Sequence, residues 1–213
     1  MRRYIPVGVF VLVLGTLSSV RPSAEIVDRI LAVVGGELIM LSDATAAVRF
    51  GLVQAPAGTD DPIVPALNAL IDRQLQLVEV NRYLPPEPTP EAIDERLAEI
   101  RARFATQEAY DAALAESGVT QAQLRSRVRD SLRIQSYRNQ RFAAALQPSE
   151  DDLVRYYRLR ETEFMKDGVL QPFAEVREQL RSRVAAERSA TLINDWLETL
   201  RGRSEVQILY RGK

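Results

Sequence analysis

Apolar residues fall into short unbroken runs near the two ends of the chain and into helical stripes between them. Residues 28–34 are rich in Ile, Leu and Val, and residues 37–40 form a second short apolar run. The Gly35-Gly36 pair between them can take positive φ at both positions, which predicts a tight β-hairpin. Ser42 is placed as the N-cap of a helix reaching about Phe50, and residues 51–61, with their Gly, Pro, Ala and Thr, read as a loop. Ile63, Leu67, Leu70, Ile71, Gln74 and Val78 then share one face of a second helix ending near Arg82.

The middle of the chain is punctuated by prolines and caps. Four prolines between residues 85 and 90 predict a stiff, extended spacer. Thr89 caps the next helix with Pro90 at its first position, and Ile93, Leu97, Ile100 and Phe104 make its stripe. A short helix over 107–116 ends at Gly118. Thr120 and Gln123 form a capping box for a long helix to about Phe142. Leu124, Val128, Leu132 and Phe142 share one face of it, while Ile134 and Tyr137 point elsewhere, so this helix has apolar neighbours or a ligand on two sides. Ser149, with Asp152, opens a helix lined by Leu153, Tyr156, Tyr157 and Phe164, and the pattern breaks around Gly168. From Pro172 a last helix runs to about Arg201. Its stripe changes face, from Phe173, Val176, Leu180 and Val184 to Ile193, Trp196, Leu197 and Leu200. Gly202 ends it, and alternating Val206, Ile208 and Tyr210 predict a closing strand over 205–210. The fold class is mainly α-helical (α+β). One small sheet is expected to join the N-terminal hairpin to the C-terminal strand. The helices from Ser149 and Pro172 are expected to pack antiparallel as an αα-hairpin.

Composition narrows the chemistry. The 213 residues, 46% hydrophobic and 27% charged, are those of an ordinary globular chain. With no His, there is no Ser-His-Asp triad and no imidazole ligand or base; with no Cys, there is no disulfide, thiolate metal site or thiol nucleophile. No phosphate-binding glycine loop or nucleophile elbow is present. Asp60-Asp61 and Asp151-Asp152 sit at helix starts, where acids complement the helix dipole, and neighbours in sequence do not face one another on a helix. No catalytic residue, cofactor or metal is assigned.

The first 24 residues read as an address. Arg2 and Arg3 precede an uncharged, mostly apolar run over 5–17, and small and polar residues follow up to Ala24. That is the layout of a secretory signal peptide, and the run reaches only about 20 Å, short of a membrane span. Removing residues 1–24 takes away three arginines and no acid, so the formal charge moves from −1 to −4. No general basic excess remains to recruit nucleic acid. Six arginines between 125 and 141 spread around their helix as a solvated, partly ion-paired face, with polyanion contact as the alternative.

The stretch Asp28-Arg-Ile-Leu-Ala-Val-Val-Gly-Gly-Glu-Leu-Ile-Met-Leu-Ser-Asp43 resembles the opening of the SurA family, periplasmic chaperones of outer-membrane protein biogenesis. Further segments agree in order: Leu70-Ile-Asp-Arg-Gln-Leu75, Leu124 with Arg133-Ile134, Ser149-Glu-Asp-Asp-Leu-Val-Arg-Tyr-Tyr157 ending at Glu163-Phe164, and Trp196-Leu-Glu-Thr-Leu-Arg201 followed by Val206-Gln-Ile-Leu209. The resemblance covers about residues 25–213. The family inserts parvulin prolyl-isomerase domains between the Tyr-Tyr helix and the last long helix. Here only residues 166–171 lie between those helices, too few for a domain, and the histidines of parvulin sites are missing.

The resemblance implies a single SurA-like chaperone core over 25–213, without the parvulin insertion. Its parts are an N-terminal region (25–147), a helical hairpin (149–186) and a C-terminal helix and strand (187–213). It implies a periplasmic, ATP-independent holdase for unfolded outer-membrane or secreted polypeptides, with no cofactor, no nucleic acid, no membrane span after signal removal and no enzymatic activity. Phe50, Leu52, Ile134 and Tyr137 are the candidate client contacts. Completion of the core by all four is the alternative. An isomerase-related protein, the non-catalytic partner of a separate isomerase, and a structural subunit of an envelope complex remain open, as does self-association.

Overall fold

The computed structural model describes residues 28–53, 61–143 and 146–212; the segment read as a signal peptide lies outside them. The fold is mainly helical with a small antiparallel sheet. β1 (Ile30–Val34) and β2 (Glu37–Met40) form the hairpin, with Gly35 and Gly36 at φ +57° and +88°. Both angles lie in the left-handed region that the two-residue turn requires. β5 (Val206–Ile208) pairs antiparallel with the other edge of β1, in register Ala32 to Ile208 and Val34 to Val206. The order β2-β1-β5 therefore joins the two ends of the described chain, as expected. An irregularity between Ile30 and Ala32 takes Leu31 out of the β1–β2 register. The Leu31 carbonyl accepts instead from the N–H groups of Leu209 and Tyr210, at 2.9 and 3.1 Å.

Seven α-helices are described: α1 (Leu41–Arg49), α2 (Ile63–Tyr83), α3 (Pro90–Arg101), α4 (Gln107–Ser117), α5 (Gln121–Phe142), α6 (Glu150–Leu159) and α7 (Phe173–Arg203). The caps at Thr89, Thr106, Thr120 and Ser149 each accept from a backbone N–H three residues on, which satisfies a donor the helix leaves unpaired. Ser42 is no cap. It lies inside the first turn of α1 and donates to Asp28, whereas the Asp43 carboxylate takes the N–H of Met40 at 2.9 Å. Val78 leaves the expected buried face of α2 and is 41% exposed. The buried set, Leu67, Ile71, Leu75 and Val80, is instead rotated toward the sheet and the end of α7. The proline segment is docked and not a free spacer: Pro85 is buried, and Glu87 meets the Arg133 guanidinium at 3.0 Å.

Three apolar cores result. The largest gathers Leu31, Val34 and Ile39 of the sheet, Leu67, Ile71 and Leu75 of α2, Ile134, Tyr137 and Phe142 of α5, and Trp196 and Leu200 of α7. A second holds α1, α3, α4 and the first half of α5 around Phe50, Ile100, Tyr110 and Leu124. A third, smaller one packs Leu153 and Phe164 against Val176, Leu180 and Val184, and forms an arm. The changing stripe of α7 thus serves two cores, as the sequence predicted.

The arm departs from expectation in its connection. Residues 165–170 form a miniature hairpin, β3 (Met165–Lys166) and β4 (Val169–Leu170), turned by Asp167 and Gly168 at φ +52° and +80°. An Asp-Gly pair is a strong hairpin signal, and here it was hidden by the shortness of its strands. In addition, Glu150 at the start of α6 binds Arg177 through two contacts of 2.8 Å, while Tyr156 and Arg160 near its end reach Glu187. Asp152 reaches Arg188 and the Tyr157 ring packs on Phe173 at 5.6 Å, so the contacts of α6 spread along α7 from Phe173 to Arg188. α7 also passes through Gly202 to Arg203, where Arg201 and Arg203 pair with Asp72 and Glu79 of α2. Among the described residues no helix is long and apolar enough to cross a membrane.

Candidate polypeptide-binding site

The four residues expected to contact a client are built into cores. Phe50 is fully buried, with ring centroids 5.8 Å from Phe104 and 6.1 Å from Tyr110. Tyr137 is buried between Tyr83 and Trp196, at 5.5 and 5.7 Å, and Ile134 is buried in the same core. Their displacement from the main stripe of α5 has a packing cause, since the first half of that helix faces the second core and the second half faces the largest one. Leu52 is half-buried and lines a pocket of about 170 Å³ with Leu38, Ala47 and Leu70. The structure groups Phe50 and Leu52 in one core and Ile134 and Tyr137 in another, so the four do not form one surface.

The open concave surface lies elsewhere, and the α7 stripe explains its position. Val184 is the last residue of α7 committed to the arm core, and Leu192 is the first that packs on the main core. Between them run Ala185, Ala186, Ser189, Ala190 and Thr191, small side chains that neither core covers. This stretch is a neck. On the α6 side of it lies a groove of about 650 Å³, with Tyr156, Val184 and Leu192 contributing apolar surface and Leu159, 77% exposed, at its edge. A second, smaller cleft of about 330 Å³ lies between α5 and α7.

Charge frames the larger groove. Arg188 binds Asp152 at 2.7 Å, and Glu187 accepts from the Tyr156 hydroxyl at 2.7 Å and from Arg160. The Arg188 guanidinium, with help from Ser149, holds the Asp152 carboxyl well below the usual carboxylate range. Arg160 and Tyr156 lower Glu187 in the same way, and Arg177 lowers Glu150. Burial first, and the neighbouring Glu187 second, push the Tyr156 phenol up. The three carboxylates are therefore charged and the phenol neutral near neutral pH, each held by a partner, which leaves the apolar surface and exposed Arg155 as the parts of the groove free to bind. Exposed Met165 and Val169 on the miniature hairpin extend the apolar character of the arm. Such a surface suits an extended polypeptide whose side chains alternate, with apolar groups on the floor and polar groups toward the charged walls.

Among the described residues no group of three or more acidic side chains is placed to hold a metal ion. Sequence reasoning missed the groove because its lining is drawn from two helices with a turn and hairpin between them. The available signal was the gap between the two α7 stripes, filled by Ala, Ser and Thr. Comparison with protein-family models gives no match to this chain, and comparison with curated proteins gives none either.

Proposed function

We propose that the chain is a periplasmic, ATP-independent chaperone of SurA type, reduced to its core module, that holds unfolded outer-membrane or secreted polypeptides. The observation that carries this reading is the groove of about 650 Å³ at the neck of α7, where Tyr156, Leu159, Val184 and Leu192 supply apolar lining among charged side chains. The order of sequence matches from Asp28 to Leu209 supports it, as does the sheet that ties the N-terminal hairpin to the closing strand. Energetics are compatible with transient holding. Burial of about 400 Å² of client at roughly 25 cal/mol per Å² gives about 10 kcal/mol gross. Association and ordering costs offset much of that and leave affinity on the order of micromolar.

The test uses chain lacking residues 1–24 and an urea-unfolded outer-membrane protein diluted into buffer. Light scattering should fall in proportion to added chaperone, and a photo-crosslinker at Thr191 or Leu159 should capture the client. A proline-limited refolding reaction should keep its rate. Unchanged scattering, or crosslinks from every surface except the neck, would remove the proposal; faster refolding would replace it with an isomerase.

A further inference from the structure

The six arginines between residues 125 and 141 of α5 separate into two groups. Arg125 pairs with Asp94, Arg127 with Asp43, Arg129 with Asp130 and Arg133 with Glu87. Arg138 and Arg141, at the C-terminal end, meet no carboxylate among the described residues. Arg141 is engaged in another way: it lies 5.7 and 5.6 Å over the Phe142 and Trp196 rings and contacts the Tyr137 hydroxyl. Arg138 makes no hydrogen bond, ion pair or ring contact among the described residues, yet it is half-buried. Burial lowers its pKa, and no neighbouring charge contributes.

A guanidinium is always charged and carries five donors in a planar fork. Partial burial of one without a partner costs solvation and returns nothing. The cleft around Arg138 is built to reward a partner from outside. It measures about 330 Å³ and no acidic side chain lines it. Gln135, Asn139 and Ser189 give it neutral polar walls, and Phe142 and Ile193 close it with apolar surface. In the larger groove, by contrast, Arg188 is already taken by Asp152, and Arg155 is exposed and stays hydrated.

We infer that the α5–α7 cleft is a carboxylate-binding subsite, in which Arg138 receives a carboxylate of a bound polypeptide while the adjacent apolar side chain rests on Phe142 and Ile193. The inference rests on the reading of the chain as a polypeptide binder and adds an acidic-apolar preference to it. Either a chain terminus or a Glu or Asp side chain can supply the carboxylate.

Fluorescence anisotropy with labelled apolar peptides tests it. One peptide carries a single Glu and its counterpart carries Gln, each with the C-terminus free or amidated. Wild-type chain should bind the carboxylate-bearing forms roughly tenfold more tightly than the fully neutral one, as a charge-assisted fork contact allows. Preference for the free terminus alone, or for Glu alone, identifies which source is read. Arg138→Gln should abolish the preference, leave affinity for the neutral peptide unchanged and keep the melting temperature, since no internal partner is lost. Ser189→Glu, which offers an internal carboxylate from the facing helix, should abolish the preference as well. Equal binding of all four peptides by wild type, binding of none, or a preference that survives Arg138→Gln overturns the inference. Failure to suppress aggregation with the preference intact would sink the holdase reading and leave this site standing.

Discussion

The first half of α7 packs on α6 and the miniature hairpin, its near neighbours in sequence, whereas the second half packs on α2 and α5 from far earlier in the chain. The two halves also differ in what holds them. Five buried apolar residues make the arm core, against seventeen in the main core. The arm compensates with ion pairs, Glu150 to Arg177, Asp152 to Arg188, Arg183 to Glu163 and Arg160 to Glu187. Exposed pairs of this kind contribute about 0–1 kcal/mol each, so they orient the arm more than they stabilise it. A small core with charged fastenings opens at lower free energy than a large one. The groove lies at the boundary between the two regimes.

The largest effect should come from the half of α7 in the main core. Trp196 is buried against Tyr137 and Phe142, at 5.7 and 5.9 Å between ring centroids. Trp196→Ala should cost about 3–5 kcal/mol and lower the urea midpoint of the whole molecule. A loss confined to the arm would break the comparison.

Leu180→Ala is the matching cut in the other half. Leu180 is fully buried in the arm core, and its truncation should cost about 2–4 kcal/mol. The loss should appear locally. Amide exchange in α6 and the β3–β4 hairpin should accelerate sharply, while α2 and the sheet keep their protection. Uniform loss of protection would show that α7 transmits the strain and that the arm is no separate unit.

How much of this division was legible in the sequence depends on the kind of signal. Side-chain periodicity placed both α7 stripes, because 3.6-residue spacing is a property of the helix alone. Caps at Thr89, Thr120 and Ser149 were legible for the same local reason. The three-stranded sheet was legible because each strand is too short to stand alone. Ile134 and Tyr137 were read as client contacts and are buried in the main core, with Ile134 also lining the α5–α7 cleft; a residue off one stripe can face a ligand or a second core, and distant elements, α2 and Trp196, decide which. Ser42 was misread because Asp28, fourteen residues earlier, claims its hydroxyl. The ion pairs between α6 and α7 had no sequence signal, as they exist only after the chain turns through residues 160–172.

Acidification offers a milder test of the ionic fastening. Asp152, Glu150 and Glu187 all have pKa values lowered in the folded chain by their arginine partners. The folded arm therefore binds fewer protons than the unfolded arm. The stabilisation is complete above the unfolded carboxylate range, near pH 4, and drains away as pH falls through the folded values. Exchange in α6 should rise progressively below about pH 4 at low salt. In Asp152→Asn, which keeps a helix-capping partner but not the charge, α6 should exchange faster at pH 7 and respond less to acid. An acid response identical to wild type would mean that Asp152 does not fasten the arm.

The smallest expected change in stability belongs to the residue that best separates packing from function. Leu159 projects from the end of α6 beside the groove and is 77% exposed, so it contributes little to either core. Leu159→Ser should alter stability by no more than about 0.5 kcal/mol, with the arm's exchange pattern intact. It removes apolar area from the edge of the groove, so suppression of client aggregation should require several-fold more protein. The pairing of an unchanged melting temperature with weakened holding is the decisive feature, because Leu180→Ala would weaken holding through loss of the arm itself. Undiminished holding in Leu159→Ser would move the client off this edge of the neck, and a fall of several degrees in melting temperature would show that the arm core reaches further along α6 than its buried residues indicate.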